Sequence, residues 1–175
     1  MHFNNFDIYL DWNEEMPTQQ ELRDHPNIGP RVRLHVDTPE YAAPVGSRGL
    51  NVYVSSFLRA GADLAGGKEA RPWDSTGDGG AFAFVPQDDD AVEVWLSIYS
   101  VRPERRSHDA PVTWTTMTTR TVVLQEILAF AERVIEHISP VVDEDDEHYR
   151  ELVEEYQRFL EVAWEYLPDD HTSVV

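Results

Sequence analysis

Apolar and polar positions alternate with a period of two along much of the first 120 residues, the spacing of a strand with one face in the core. Phe6, Ile8, Leu10 and Trp12 interleave with polar and acidic neighbours, and Val32, Leu34 and Val36 with Arg31, Arg33 and His35. Leu50 to Leu58 reads as a third strand, with Val52 and Val54 on one face and Tyr53 and Phe57 on the other. Ala81 to Val85 and Ala91 to Val101 are the arms of a hairpin around Pro86-Gln87-Asp88-Asp89-Asp90. The second arm turns Val92, Val94, Leu96 and Ile98 inward. Val112 to Thr119 follows as a further strand, its threonines suited to a pleated surface that is polar on one side. Thr18 and Glu21 have capping-box spacing for a short helix ending before Pro26. Thr38 to Gly49 and Gly61 to Gly80, bearing glycine and proline, read as loops.

Beyond Arg120 the period becomes helical. Leu124, Ile127, Leu128, Ala131, Val134, Ile135 and Ile138 form one stripe, closed by Ser139-Pro140. Tyr149, Leu152, Val153, Tyr156, Phe159, Leu160 and Ala163 form another, led by acids from Asp143 and ended at Leu167-Pro168. Strands followed by helices predict an α+β domain: an antiparallel sheet of about five or six strands with a C-terminal two-helix hairpin packed on one face. At 175 residues one domain is expected, with residues 1–120 mainly strands and loops, 121–168 the hairpin and 169–175 a tail.

Charge changes this picture more than composition does. The chain has 33 acids against 14 bases, a formal net charge of −19, and Lys68 is its only lysine. Residues 141–170 hold twelve of the acids and two bases, so −10 of the −19 falls in that segment. A surface this negative repels nucleic acid and anionic membrane and favours cationic partners. With no cysteine, disulfides, thiol catalysis and thiolate zinc sites are excluded. The first residues lack a cationic segment leading into an apolar run, and no stretch approaches the ~20 apolar residues of a membrane span, so a soluble cytoplasmic chain is expected.

Candidate chemistry is sparse. Ala62 to Glu69 resembles a phosphate-binding loop, but Ala62 replaces its leading glycine and Glu69 stands where a magnesium-binding hydroxyl belongs. Asp74 to Gly79 matches the front of an EF-hand loop, yet Val85 occupies the place of the bidentate glutamate. Asp143 to Glu147 with His148 offers metal-ligating atoms, although a helix N-terminus attracts acids without any metal. None of the seven histidines has HExxH spacing and no serine sits in a GxSxG elbow. No catalytic residue, metal or cofactor is therefore expected. Arg102, Arg105 and Arg106 form the one locally basic segment and are the candidate anion contacts.

Glu147, Glu151, Glu154, Glu155, Glu161 and Glu165 stand opposite the apolar stripe of the last helix, with Trp164 and Tyr166 at its end. Like charges one turn apart repel by a few tenths of a kcal/mol per pair, so the stripe calls for salt screening or a cationic partner. The expected function is a non-enzymatic acidic interaction protein, such as an immunity-type inhibitor, that docks these glutamates and Trp164 on a basic protein. The alternative is a small ligand-binding protein or enzyme of a halophile, its acidity only salt adaptation and its pocket lined by Trp73, Trp95, Tyr99 and Trp114. Self-association through the helices is a third expectation.

Overall fold

Val54, Phe57, Leu58, Gly61 and Leu64 recur at three- and four-residue spacing, and this stripe makes a helix, α1 (Leu50–Ala65), where alternation predicted a strand ending at Leu58. Two β-branched valines and a glycine mimic strand and breaker, but all five positions of the stripe are buried. The computed structural model describes residues 7–10, 32–38, 41–48, 50–75, 80–98, 112–140, 142 and 144–167, with side-chain surroundings for 54–72, 83–95, 115–140, 142 and 144–167. The short helix predicted from Thr18 lies outside the described residues.

The class is α+β, as expected. Instead of one sheet of five or six strands there are two antiparallel sheets among the described residues. The first is β1 (Asp7–Leu10), β2 (Val32–Thr38) and β3 (Tyr41–Arg48), in that order. β3 replaces the predicted loop from Thr38 to Gly49. Its Pro44 and Gly46 are accommodated because the register slips between Leu34 and His35, leaving Val45 unpaired in a bulge. The second sheet is β4 (Ala70–Ser75), β5 (Gly80–Pro86), β6 (Ala91–Ile98) and β7 (Val112–Thr119), again in sequence order. β4 corrects the long connection predicted from Gly61, and a register shift between Ala70 and Trp73 had hidden its alternation. The β5–β6 hairpin is as predicted. Asp89 takes a left-handed conformation at its tip, with φ 61°, which aspartate tolerates better than most residues.

Two more helices follow: α2 (Arg120–Ile138) and α3 (Glu147–Ala163), the latter continued by a 3₁₀ turn over Trp164–Tyr166. Every residue of the predicted α2 stripe is buried. Thr119 caps α2, its Oγ1 accepting from the Val122 amide at 3.2 Å. Asp90 in the hairpin turn holds the same helix start: its carbonyl accepts from the Arg120 amide at 2.8 Å and its carboxylate from the Thr121 hydroxyl at 3.2 Å.

The predicted two-helix hairpin on a sheet is corrected by α1. Both α2 and α3 pack closely on α1, whereas their own backbones scarcely approach each other. Ala70, Phe84, Val92 and Val94 carry the inner face of the four-stranded sheet into the same core. Phe57 of α1 meets Phe130 of α2 edge-on, with ring centroids 5.7 Å apart. The crossing of α1 with α3 is closer still. A Cβ placed on Gly61 would lie 2.6 Å from Cε2 of the fully buried Phe159 and 3.2 Å from Cδ1 of Ile127.

Gly61→Ala therefore sets a gain in helix propensity of about 1 kcal/mol against overpacking of about 1–3 kcal/mol. The urea midpoint should fall in the natural background. In a Phe159→Leu background, where the ring edge is gone, the same substitution should raise it. An increase in both backgrounds would mean that the crossing is loose.

Candidate partner-binding face

α3 starts where the sequence provides a cap. Asp146 Oδ1 accepts from the amides of His148 at 2.9 Å and Tyr149 at 3.0 Å, and Glu147 occupies the first turn. Asp146, the acid just before the helix, thus has a structural task. Among the described residues no three carboxylate or histidine groups converge as metal ligands.

Among the described residues, three contacts that place α3 stand out. Phe159 sits against Gly61. Arg59 Nε donates to Glu155 Oε1 at 2.8 Å, tying α3 to α1. Tyr156, 1% exposed, donates its hydroxyl to Glu132 Oε1 at 3.1 Å, tying α3 to α2. Burial, with the Glu132 carboxylate adding to it, pushes the Tyr156 hydroxyl well above the ordinary tyrosine value of 10.0.

With Leu152, Tyr156, Phe159 and Ala163 turned inward, the opposite face of α3 is set. Glu147, Glu151, Glu154, Glu161 and Glu165 are exposed, as the sequence led us to expect. Glu155 is different: its side chain is only 18% exposed and Arg59 neutralises it, so it belongs to the frame of the helix and not to the free stripe. Arg158, also exposed, interrupts the run between Glu154 and Glu161. His148 Nδ1 lies 3.9 Å from Glu151, a contact between two exposed groups.

The C-terminal end of α3 places acid where it is disfavoured. Its last turn has no basic residue, while Glu161 stands near the negative end of the helix dipole and Glu165 just beyond it. Beside them Trp164 is 67% and Val162 44% exposed. The turn that carries Trp164 is fixed from α2. Arg120 Nη1 donates to the Tyr166 hydroxyl at 2.9 Å, and Gln125 Nε2 donates to the Tyr166 carbonyl at 3.2 Å. The guanidinium carbon is 5.6 Å from the Tyr166 ring centroid, near the outer limit of a cation–π contact, so the hydrogen bond is the stronger restraint. Arg59, Arg120 and Gln125 carried no signal in the sequence, because each acts on a residue far along the chain.

The other candidate segments have ordinary structural roles or lie elsewhere. In the glycine segment resembling a phosphate loop, Gly66, Gly67 and Lys68 donate their amides to the carbonyls of Ala62, Leu64 and Asp63. With Gly67 at φ +76°, this is a Schellman cap ending α1, and its amides are already used. Asp74 and Ser75 of the EF-hand-like segment pair with Ala81 and Gly80 in a β-ladder. Arg102, Arg105, Arg106 and Tyr99 lie outside the described residues. Trp73 and Trp114 are described in backbone only, within β4 and β7, and Trp95 is half-buried on β6.

Among the described residues no helix is long and apolar enough to cross a membrane. No protein family, no curated protein and no solved structure matches the chain.

The Tyr156 contact has a pH consequence. Its hydroxyl stays protonated in the fold above the pH at which the unfolded chain ionises, so the stability it contributes is complete below about pH 10 and is lost as pH rises further. Urea unfolding from about pH 8 to about pH 11 should show a steeper alkaline decline in the natural chain than in Tyr156→Phe. Parallel declines would remove Tyr156 from the account.

Proposed function

We propose that the chain is a non-enzymatic acidic interaction protein that docks a basic protein through the exposed face of α3, in the manner of an immunity-type inhibitor covering a phosphate-binding groove. The observation that carries this reading is the pairing of Glu161 and Glu165, set at the disfavoured end of a helix, with the exposed indole of Trp164. Each such acid costs about 0.3–1 kcal/mol at the surface. Arginine or lysine from a partner reverses the sign of that interaction. Trp164 supplies the aromatic anchor around which interfaces concentrate their energy. Glu147, Glu151 and Glu154 extend the negative face and steer approach.

Salt adaptation is the second reading. It is favoured by acids exposed away from α3, among them Asp88 and Asp89 at the hairpin tip and Glu136 on α2. Cooperative thermal unfolding that is the same in dilute buffer and in molar potassium chloride counts against it.

A blocked nona-arginine peptide is a minimal basic surface on which to test the first reading. Its association rate with the protein should fall roughly tenfold between about 0.05 M and about 0.5 M salt. The triple substitution Glu151→Gln, Glu154→Gln and Glu161→Gln should flatten that dependence. A rate indifferent to salt, or unaffected by the triple substitution, overturns docking through α3.

A further inference from the structure

We infer that Arg120 is a positioning residue: through Tyr166 it fixes the 3₁₀ turn that presents Trp164, and so tunes docking of a basic partner although it faces none. This rests on reading α3 as the docking face. Trp164 and Tyr166 share one turn of three residues, closed by the Leu167 amide donating to the Trp164 carbonyl at 3.3 Å. The turn continues α3 directly, with Trp164 in helical backbone at the end of that helix and no side-chain cap between them. Its start is set by α3, and its far end is held from α2 at two points of Tyr166. Arg120 takes the hydroxyl at 2.9 Å and Gln125 takes the carbonyl at 3.2 Å. Leu167 and the Tyr166 ring pack on the core beside them.

Arg120 is itself anchored. It is the first residue of α2, and its amide donates to the Asp90 carbonyl at 2.8 Å. Its buried Nε has no hydrogen-bond partner, so the guanidinium is committed through Nη1 to Tyr166. The chain of contacts runs from the β5–β6 turn through α2 to the turn bearing Trp164. Trp164, 67% exposed, stands two residues before the doubly held Tyr166 and next in sequence to Glu165.

Electrostatics alone gives Arg120 the opposite effect. Removing a positive charge makes the protein more negative, which tightens binding of a cationic peptide. Positioning predicts that binding weakens, because a wandering indole forfeits its stacking with arginine. The sign of the change therefore separates the two.

The experiment uses the full chain labelled with 5-fluorotryptophan, whose five tryptophans give five fluorine resonances, that of Trp164 assigned with Trp164→Phe. Arg120→Met and Tyr166→Phe should shift or broaden the Trp164 resonance before any ligand is added. Both should weaken nona-arginine binding about threefold, the contribution of one exposed cation–aromatic contact. Arg120→Lys, which keeps the charge and a donor, should fall between them and the natural chain. Tyr166→Phe leaves the charge unaltered and removes only the acceptor, so it decides the matter if Arg120→Met folds poorly. An unmoved Trp164 resonance in both variants overturns the positioning role, as does tighter binding by Arg120→Met. A natural chain that fails to bind the peptide overturns the docking reading instead, while the fluorine spectra still judge the clamp on Trp164.

Discussion

The close crossing of α1 and α3 at Gly61 and Phe159 is the constraint on which the arrangement depends. A side chain at Gly61 would overlap the Phe159 ring, so the helices approach only because that position is bare. This fixes the rotation of α3 about its own axis. With Phe159 inward, Tyr156 faces Glu132 on α2, Glu155 faces Arg59 on α1, and the remaining glutamates face solvent. The crossing also explains a glycine in a buried helix, where it forgoes about 1 kcal/mol of propensity relative to alanine. Close packing is recovered in exchange, since contacts at van der Waals distance are individually small and collectively large.

Held this way, α3 can carry a charge pattern that an isolated helix would resist. Glu147 and Glu151, like Glu161 and Glu165, are four residues apart, and such like-charged pairs each cost about 0.2–0.5 kcal/mol. The acids at the C-terminal end add an unfavourable dipole interaction. Burial of Leu152, Tyr156, Phe159 and Ala163 outweighs these costs, since full burial of a large apolar side chain contributes about 1.5–3 kcal/mol. The Asp146 cap adds to the favourable side at the other end. Core packing thus supports a surface charge pattern that by itself disfavours the helix.

Which parts of the fold were legible follows from the range of the forces that decide them. The β5–β6 hairpin and the stripes of α2 and α3 are set by local periodicity, and they appear where alternation or helical spacing placed them. α1 was misread because Val52 and Val54 satisfy a period of two, while Gly61, required by a partner 98 residues away, looks like a terminator. β3 was missed because a bulge opposite Leu34 and His35 absorbs the proline and glycine that argue against a strand. In the candidate site the glutamate stripe was visible as spacing. The withdrawal of Glu155 by Arg59 was not, nor was the clamp of Arg120 on Tyr166, since these pairs lie 96 and 46 residues apart in sequence. Arg102, Arg105 and Arg106 fall outside the described residues.

The two proposed readings, salt screening and recognition, bear on different parts of the α3 surface. Concentrated salt shortens the range of repulsion from about 10 Å at 0.1 M to about 3 Å at 1 M, enough to relieve the exposed glutamates wherever they stand. It does nothing to relieve an indole that is 67% exposed with Val162 half-exposed close by in sequence. Apolar exposure is costly in proportion to its area, whatever the ionic strength does to charge. Salt adaptation accounts for the acids and is silent on the tryptophan. A chain that meets a cationic partner has a reason for both, because carboxylates neutralise the guanidinium or ammonium while the ring offers its face. Trp164, more than the glutamates around it, is the residue that favours recognition over solvent adaptation.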